Sequence, residues 1–267
     1  MIIANRYQIH EKIGEGCFGK IYKAINVRTE EVVAIKTESR NNPMQLLKNE
    51  SKILQFLNNV EGVPNMKWFY VDDDTNYMVI SLLGSSLLDL KNKYKVFPMK
   101  WIRKIGKNIL CILRDVHEKG ILHRDIKPEN FLIGLGDKNE KIFLIDYGFA
   151  KSYCNNNGKH IEMKKKTKIL GTINYVSVNV HELCEPSRRD DLESFFYMIL
   201  FFYYGHLEWM NETDEDKIKE SKKNIKNHIG LPLPLKNMIE YIQGLLFEEE
   251  PNYEYIIELL FIDAFDK

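Results

Sequence analysis

An α+β fold in two lobes is predicted for this 267-residue chain from three observations. Residues 1–80 hold several short β-branched runs and one amphipathic helix, as a small, mostly β lobe would. Beyond residue 85 helical apolar spacing dominates. Between these regions Ser81-Leu82-Leu83-Gly84 reads as a connector. The chain is therefore read as one domain over 1–267, with a small lobe (1–80), a hinge (81–84) and a larger lobe (85–267).

Tyr7-Gln8-Ile9 and Lys20-Ile21-Tyr22-Lys23-Ala24 are the first strands, and Val32-Val33-Ala34-Ile35-Lys36 is the third. Residues 44–57 form a helix, with apolar positions at Leu46, Leu47, Ile53, Leu54 and Leu57. Tyr77-Met78-Val79-Ile80 closes the small lobe. In the larger lobe, residues 102–118 are helical, and residues 155–158 (Asn-Asn-Asn-Gly) turn the chain. The apolar run at 195–204 reads as a buried central helix, being far shorter than the roughly 20 residues of a membrane span. Residues 211–226 are charge-dense and read as a solvated helix or mobile loop, and 253–265 as a last docking helix.

The chemistry lies in His123-Arg124-Asp125-Ile126-Lys127-Pro128-Glu129-Asn130, followed by Asp146-Tyr147-Gly148. Transfer of a phosphoryl group to a hydroxyl needs such a set. Asp125 suits proton acceptance, and Lys127 suits charge on the transferred group. Asn130 and Asp146 offer hard oxygens to Mg²⁺. Upstream, Gly14-Glu15-Gly16-Cys17-Phe18-Gly19 is a glycine-rich loop where missing Cβ atoms allow close approach to phosphates. It joins two strands, whereas a dinucleotide-binding loop would open a helix. Lys36 then ends a V-A-I-K strand suited to the α and β phosphates of ATP. Glu50 is the expected ion-pair partner of Lys36, because Glu38 is too near along the strand and Glu30 and Glu31 fall in a turn.

Composition narrows the class. Lys+Arg and Asp+Glu both total 38, so bulk attraction to nucleic acid or membrane is not expected. Cys17, Cys111, Cys154 and Cys184 lack zinc spacing and read as free thiols of a reducing compartment. The first six residues lack a signal-peptide core, which points to an intracellular protein.

These motifs resemble the eukaryotic-type protein kinases. Ser177-Val178-Asn179 stands in place of their usual Ala-Pro-Glu, followed by the segment Pro186-Ser187-Arg188-Arg189-Asp190-Asp191-Leu192-Glu193-Ser194. With Leu82-Leu83-Gly84-Ser85-Ser86-Leu87-Leu88-Asp89-Leu90 and Asn130-Phe131-Leu132-Ile133-Gly134, these marks make the chain as a whole similar to the casein kinase 1 family. The resemblance implies a bilobal protein kinase fold, with ATP between the lobes. It implies Mg²⁺-dependent transfer to serine or threonine of protein substrates, in acidic contexts, by a monomer of cytoplasm or nucleus.

By position, Ile21, Ala34 and Leu132 would sandwich adenine, Ile80 would be the gatekeeper, and the backbone of Ser81 and Leu83 would meet the adenine edge. Asp191 would hold the backbone around His123-Arg124-Asp125. Leu54, His123 and Tyr147 would stack as an internal spine, and Thr172 would favour serine or threonine acceptors.

The resemblance implies that substrate anions meet Arg124 and Lys151, while Lys164, Lys165, Lys166 and Lys168 put four positive charges into the activation segment and read as further anion contacts, as a solvated loop or as a nuclear-import signal. The family arginine after Gly171 is Asn174 here, and the family's basic cluster beyond Trp209 is replaced by acidic residues. Tyr147 and Pro186 also suit a vaccinia-related kinase. A kinase-fold scaffold without chemistry would have lost one of Lys36, Asp125, Asn130 or Asp146, and all are present.

Overall fold

Strand β4 (Val32–Ser39) explains both the sheet and its charged face. Side chains alternate across a strand, so Val33 and Ile35 go to one face and Ala34, Lys36 and Glu38 to the other. The first face packs with Tyr7, Ala24, Tyr77 and Val79 into a core flanked by Ile9, Trp68 and Tyr70. The computed structural model describes residues 2–16 and 19–263. The expected loop residues Cys17 and Phe18 lie outside that range, as does the end of the helix anticipated over 253–265.

The chain forms two compact units. One comprises Met1–Ser85 with Phe131–Ala150, and the other Ser86–Asn130 with Lys151–Lys267. In the first unit β1 (Ile2–Ile3), β2 (Tyr7–Gly16), β3 (Gly19–Asn26), β4, β5 (Met66–Val71) and β6 (Thr75–Ser81) make an antiparallel sheet ordered β1-β2-β3-β4-β6-β5. Helix α1 (Leu46–Phe56) follows Gln45, which takes a left-handed φ of 43° and gives no side-chain cap. Glu38 supplies the cap instead, accepting hydrogen bonds from Leu46 N at 3.0 Å and Leu47 N at 3.2 Å. A carboxylate there meets both the orphan N–H groups and the positive end of the helix.

The second unit is mostly helical: α2 (Leu87–Tyr94), α3 (Met99–Glu118), α4 (Val178–His181), α5 (Arg188–Tyr204), α6 (Glu215–Asn224), α7 (Leu233–Gly244) and α8 (Tyr253–Phe261). Helix α5 is buried without interruption from Asp190 to Phe202 and stops where Gly205 turns left-handed at φ 85°. Helix α3 buries Ile102, Ile109, Leu113 and Val116 along one stripe, and Gly106 lets α8 close on it. A Cβ at Gly106 would stand 2.7 Å from Leu260 Cδ1. The charged stretch at 211–226 yields α6, capped by Asp214. It is only partly solvated, because Ile218 and Lys222 turn inward. Among the described residues no helix is long and apolar enough to cross a membrane.

Candidate active site

In the first unit, Lys36 Nζ sits 2.7 Å from Glu50 Oε2 and 2.7 Å from Asp146 Oδ1. Burial works against the ammonium, but Glu50 and Asp146 outweigh it and hold the Lys36 pKa above the ordinary lysine value. The segment carrying Asp146 is tied to α1, because Asn49 Nδ2 donates to the carbonyls of Gly148 at 3.0 Å and Ala150 at 3.1 Å. Strand register puts Lys36 opposite Ile21 and Met78, and Ala34 opposite Ile80. Gly14 also pairs with Ile21, and Glu15 with Lys20, whereas Gly16 and Gly19 form the last pair before the loop. Gly19 has a local reason to be glycine, since a Cβ there would fall 1.7 Å from Thr37 O of the next strand. Strand β7 (Phe131–Ile133), which carries Leu132, pairs with β8 (Ile142–Leu144) and is stitched to the connector by Gly84 N→Ile133 O at 2.8 Å. Ser81 N bonds Asn65 O at 3.3 Å, whereas among the described residues the N–H and C=O of Leu83 make no hydrogen bond.

In the second unit, Asp125 is the hub. Its Oδ1 accepts from Thr172 Oγ1 at 2.7 Å, its Oδ2 lies 2.8 Å from Lys127 Nζ, and Lys127 also donates to Thr172 Oγ1 at 2.9 Å. Asn130 Nδ2 donates to Asp125 O at 2.8 Å and to Oδ2 at 3.2 Å, which leaves the amide oxygen for a cation. The loop itself hangs on buried Asp191, which accepts from His123 N and Arg124 N at 2.8 Å each. Burial alone would raise the Asp191 pKa, but the bonds from His117 and His123 bring it below the usual carboxylate value. Arg124 pays for this geometry with a left-handed φ of 69°. Gly171 also packs on that loop, where a Cβ would meet Arg124 O at 2.8 Å.

A family model described as the protein kinase domain matches residues 7–250. The chain belongs to the protein kinase domain family. It is thus a phosphotransferase acting on proteins, with the mixed α+β fold of that family. Protein kinases use ATP and Mg²⁺, and the donor set of this kinase fits both. Asp146 offers a carboxylate and Asn130 an amide oxygen, hard donors of the kind Mg²⁺ takes beside phosphate oxygens. The open backbone groups of Leu83 suit a planar ring edge with donor and acceptor atoms.

The six basic residues expected to meet substrate anions do not form one group. Arg124, Lys166 and Lys168 line a cavity of about 200 Å³ with Thr167 and Cys184. Lys151 and Lys166 both pair with Glu185, the former at 2.8 Å. Lys165 turns to Glu182 O at 3.1 Å, and Lys164 is exposed. Burial would raise the Glu185 pKa, yet the two lysines bring it down.

Sequence reasoning missed Glu185, Asn49 and His117, and it missed the capping role of Glu38. His117 bridges Asp191 at 3.0 Å and Tyr253 at 2.6 Å. Its one signal is a polar side chain on the apolar stripe of α3.

Proposed function

We propose that this kinase is a serine/threonine kinase of the casein kinase 1 type, using Mg-ATP and favouring acidic sequence contexts. The supporting observation is the Thr172 hydroxyl, which donates to Asp125 at 2.7 Å and accepts from Lys127 at 2.9 Å. A short aliphatic alcohol is accommodated between base and ammonium there, the environment an acceptor serine or threonine would need. Mg-ATP supplies the γ-phosphoryl group. Lys36, oriented by Glu50, would hold the phosphates, and Asn130 and Asp146 would each offer an oxygen to the metal. Asp125 takes the hydroxyl proton, and Lys127 faces the charge that builds on the transferred group.

The family marks also interlock. Asp190 Oδ1 accepts from Ser177 Oγ at 2.5 Å and from Asn179 Nδ2 at 3.2 Å, while Asp190 Oδ2 accepts from Ser187 N at 2.7 Å. The Ser-Val-Asn triplet and the Ser-Arg-Arg-Asp-Asp segment thus form one latch, which supports the casein kinase 1 reading. The test is ³²P transfer to matched serine, threonine and tyrosine peptides, in acidic, phospho-primed and neutral contexts. Mg²⁺-dependent labelling of serine or threonine in acidic peptides is expected. Tyrosine labelling, or none at all, would defeat the proposal, and indifference to acidic context would favour a vaccinia-related type.

A further inference from the structure

Lys222 is the most unusual charge in the molecule. It lies on α6, within the most polar stretch of the chain, and its side chain is 0 % exposed. Its Nζ donates to Ile173 O at 2.7 Å and to Val176 O at 2.7 Å, and lies 3.1 Å from His181 Nε2. The rings of Tyr197 and Trp209 cover it at 4.9 and 5.6 Å. Trp209 Nε1 adds a bond to Asn174 O at 2.9 Å. Taking an ammonium out of water costs several kcal/mol, so an apolar residue would fill this space more cheaply. Burial accordingly pushes the Lys222 pKa down to about 7, Glu193 acting the other way. What an apolar residue could not do is bind carbonyls.

Those carbonyls belong to one turn. Residues 173–175 form it, closed by Tyr175 N→Thr172 O at 2.8 Å and Val176 N→Thr172 O at 3.0 Å. The carbonyls of Ile173, Asn174 and Val176 are held by Lys222 and Trp209. At the start of the turn, Thr172 Oγ1 reaches Asp125. We propose that Lys222, assisted by Trp209, is a positioning residue for phosphotransfer, fixing this turn so that Thr172 and an incoming acceptor stand correctly against Asp125. The proposal rests on the reading of Asp125 as the base.

The test is Lys222→Met, which keeps the stem and removes every donor. Peptide kinetics are read together with amide exchange at Tyr175 and Val176. Loosening a positioning group by about 1 Å costs up to about a hundredfold, so the peptide kcat/KM should fall at least about tenfold. The KM for ATP should stay unchanged, and both amides should exchange faster. Loss of active protein alone would instead lower kcat while leaving both KM values and the surviving exchange pattern intact. A folded variant with full peptide kcat/KM and unchanged exchange overturns the proposal, as does an ATP KM that worsens in step with the peptide. Should Lys222→Met not fold, Trp209→Phe removes the bond to Asn174 and part of the ring over Lys222 while leaving the Lys222 bonds in place, and a smaller loss with the same split is expected. Wild-type peptide kinetics in Trp209→Phe would then overturn the idea. Full turnover in Asp125→Asn would sink the base reading alone, leaving the exchange result to stand.

Discussion

The Lys36 ammonium and the Asp146 carboxylate, 110 residues apart in the chain, meet at 2.7 Å inside one compact unit. Glu50 completes the group from α1 and is almost wholly buried. Lys36→Met would leave that carboxylate without its cation. Losing one partner of a buried pair costs about 3–5 kcal/mol, and losing one preorganised electrostatic contact costs about 10²–10³ in rate. Urea unfolding and peptide phosphorylation should therefore both fall in Lys36→Met. A variant of wild-type stability would show that the pair bears no structural weight.

Asp125→Asn should lower kcat by about 10²–10⁴, the usual range for removing a general base. Thr172→Val, which keeps the shape but deletes the hydroxyl bonded to Asp125, should shift selectivity among serine, threonine and tyrosine peptides. Single-turnover transfer at saturating Mg-ATP measures both.

Glu38→Ala should destabilise the kinase by about 0.5–2 kcal/mol, as loss of a helix cap does. Because Leu46 N and Leu47 N are the groups capped, their amides should show the largest increase in exchange. Uniform acceleration across α1 would argue against a capping role.

His181 should give the protein an acid-sensitive stability. Its pKa is pushed down from 6.5 to about 4, by burial first and then by Lys222 and Lys219. Between those values the unfolded chain binds a proton that the folded one does not. The His181 contribution is therefore complete above about pH 6.5 and declines as pH falls toward 4, by up to about 1.4 kcal/mol per pH unit. Lys222 contributes only near pH 7, close to its folded value, and is protonated in both states at lower pH. Urea midpoints at pH 7, 6 and 5 should fall in the wild type and flatten in His181→Gln.

Lys168 and Lys164 should behave differently toward acidic peptides. Lys168 lines the cavity with Arg124, and Lys164 does not. Lys168→Ala should weaken kcat/KM for an acidic peptide a few-fold, the scale of an exposed charge contact at about 0.2–1 kcal/mol, with the difference shrinking in salt. Lys164→Ala should change little. Lys166→Ala should also cost stability, because it removes one of the two cations on buried Glu185.

The α+β architecture is legible in the sequence because two periodicities separate cleanly, with alternation in β4 and a helical stripe in α3. The pairing of Lys36 with Glu50 is legible for a related reason, since helical spacing puts Glu50 on a helix that must pack nearby. Glu38 is not legible. Its capping role depends on the left-handed turn at Gln45, and no residue type in that stretch announces the turn. Lys222 is hidden by its neighbours, because composition records the charge of residues 211–226 but not which way each side chain points. Glu185 is hidden in the same way, as its two lysines come from separate segments.

Gly84 and Ser85 hydrogen-bond to Ile133, and this stitch makes the first compact unit discontinuous. A fragment ending at residue 85 would keep Lys36 and Glu50 but lose Asp146, together with the Gly148 and Ala150 carbonyls that Asn49 binds. The unit that carries Lys36 and Asp146 therefore cannot be cut out by truncation. Any excised version must splice residues 131–150 back on, and the connector at Gly84 marks where the splice belongs.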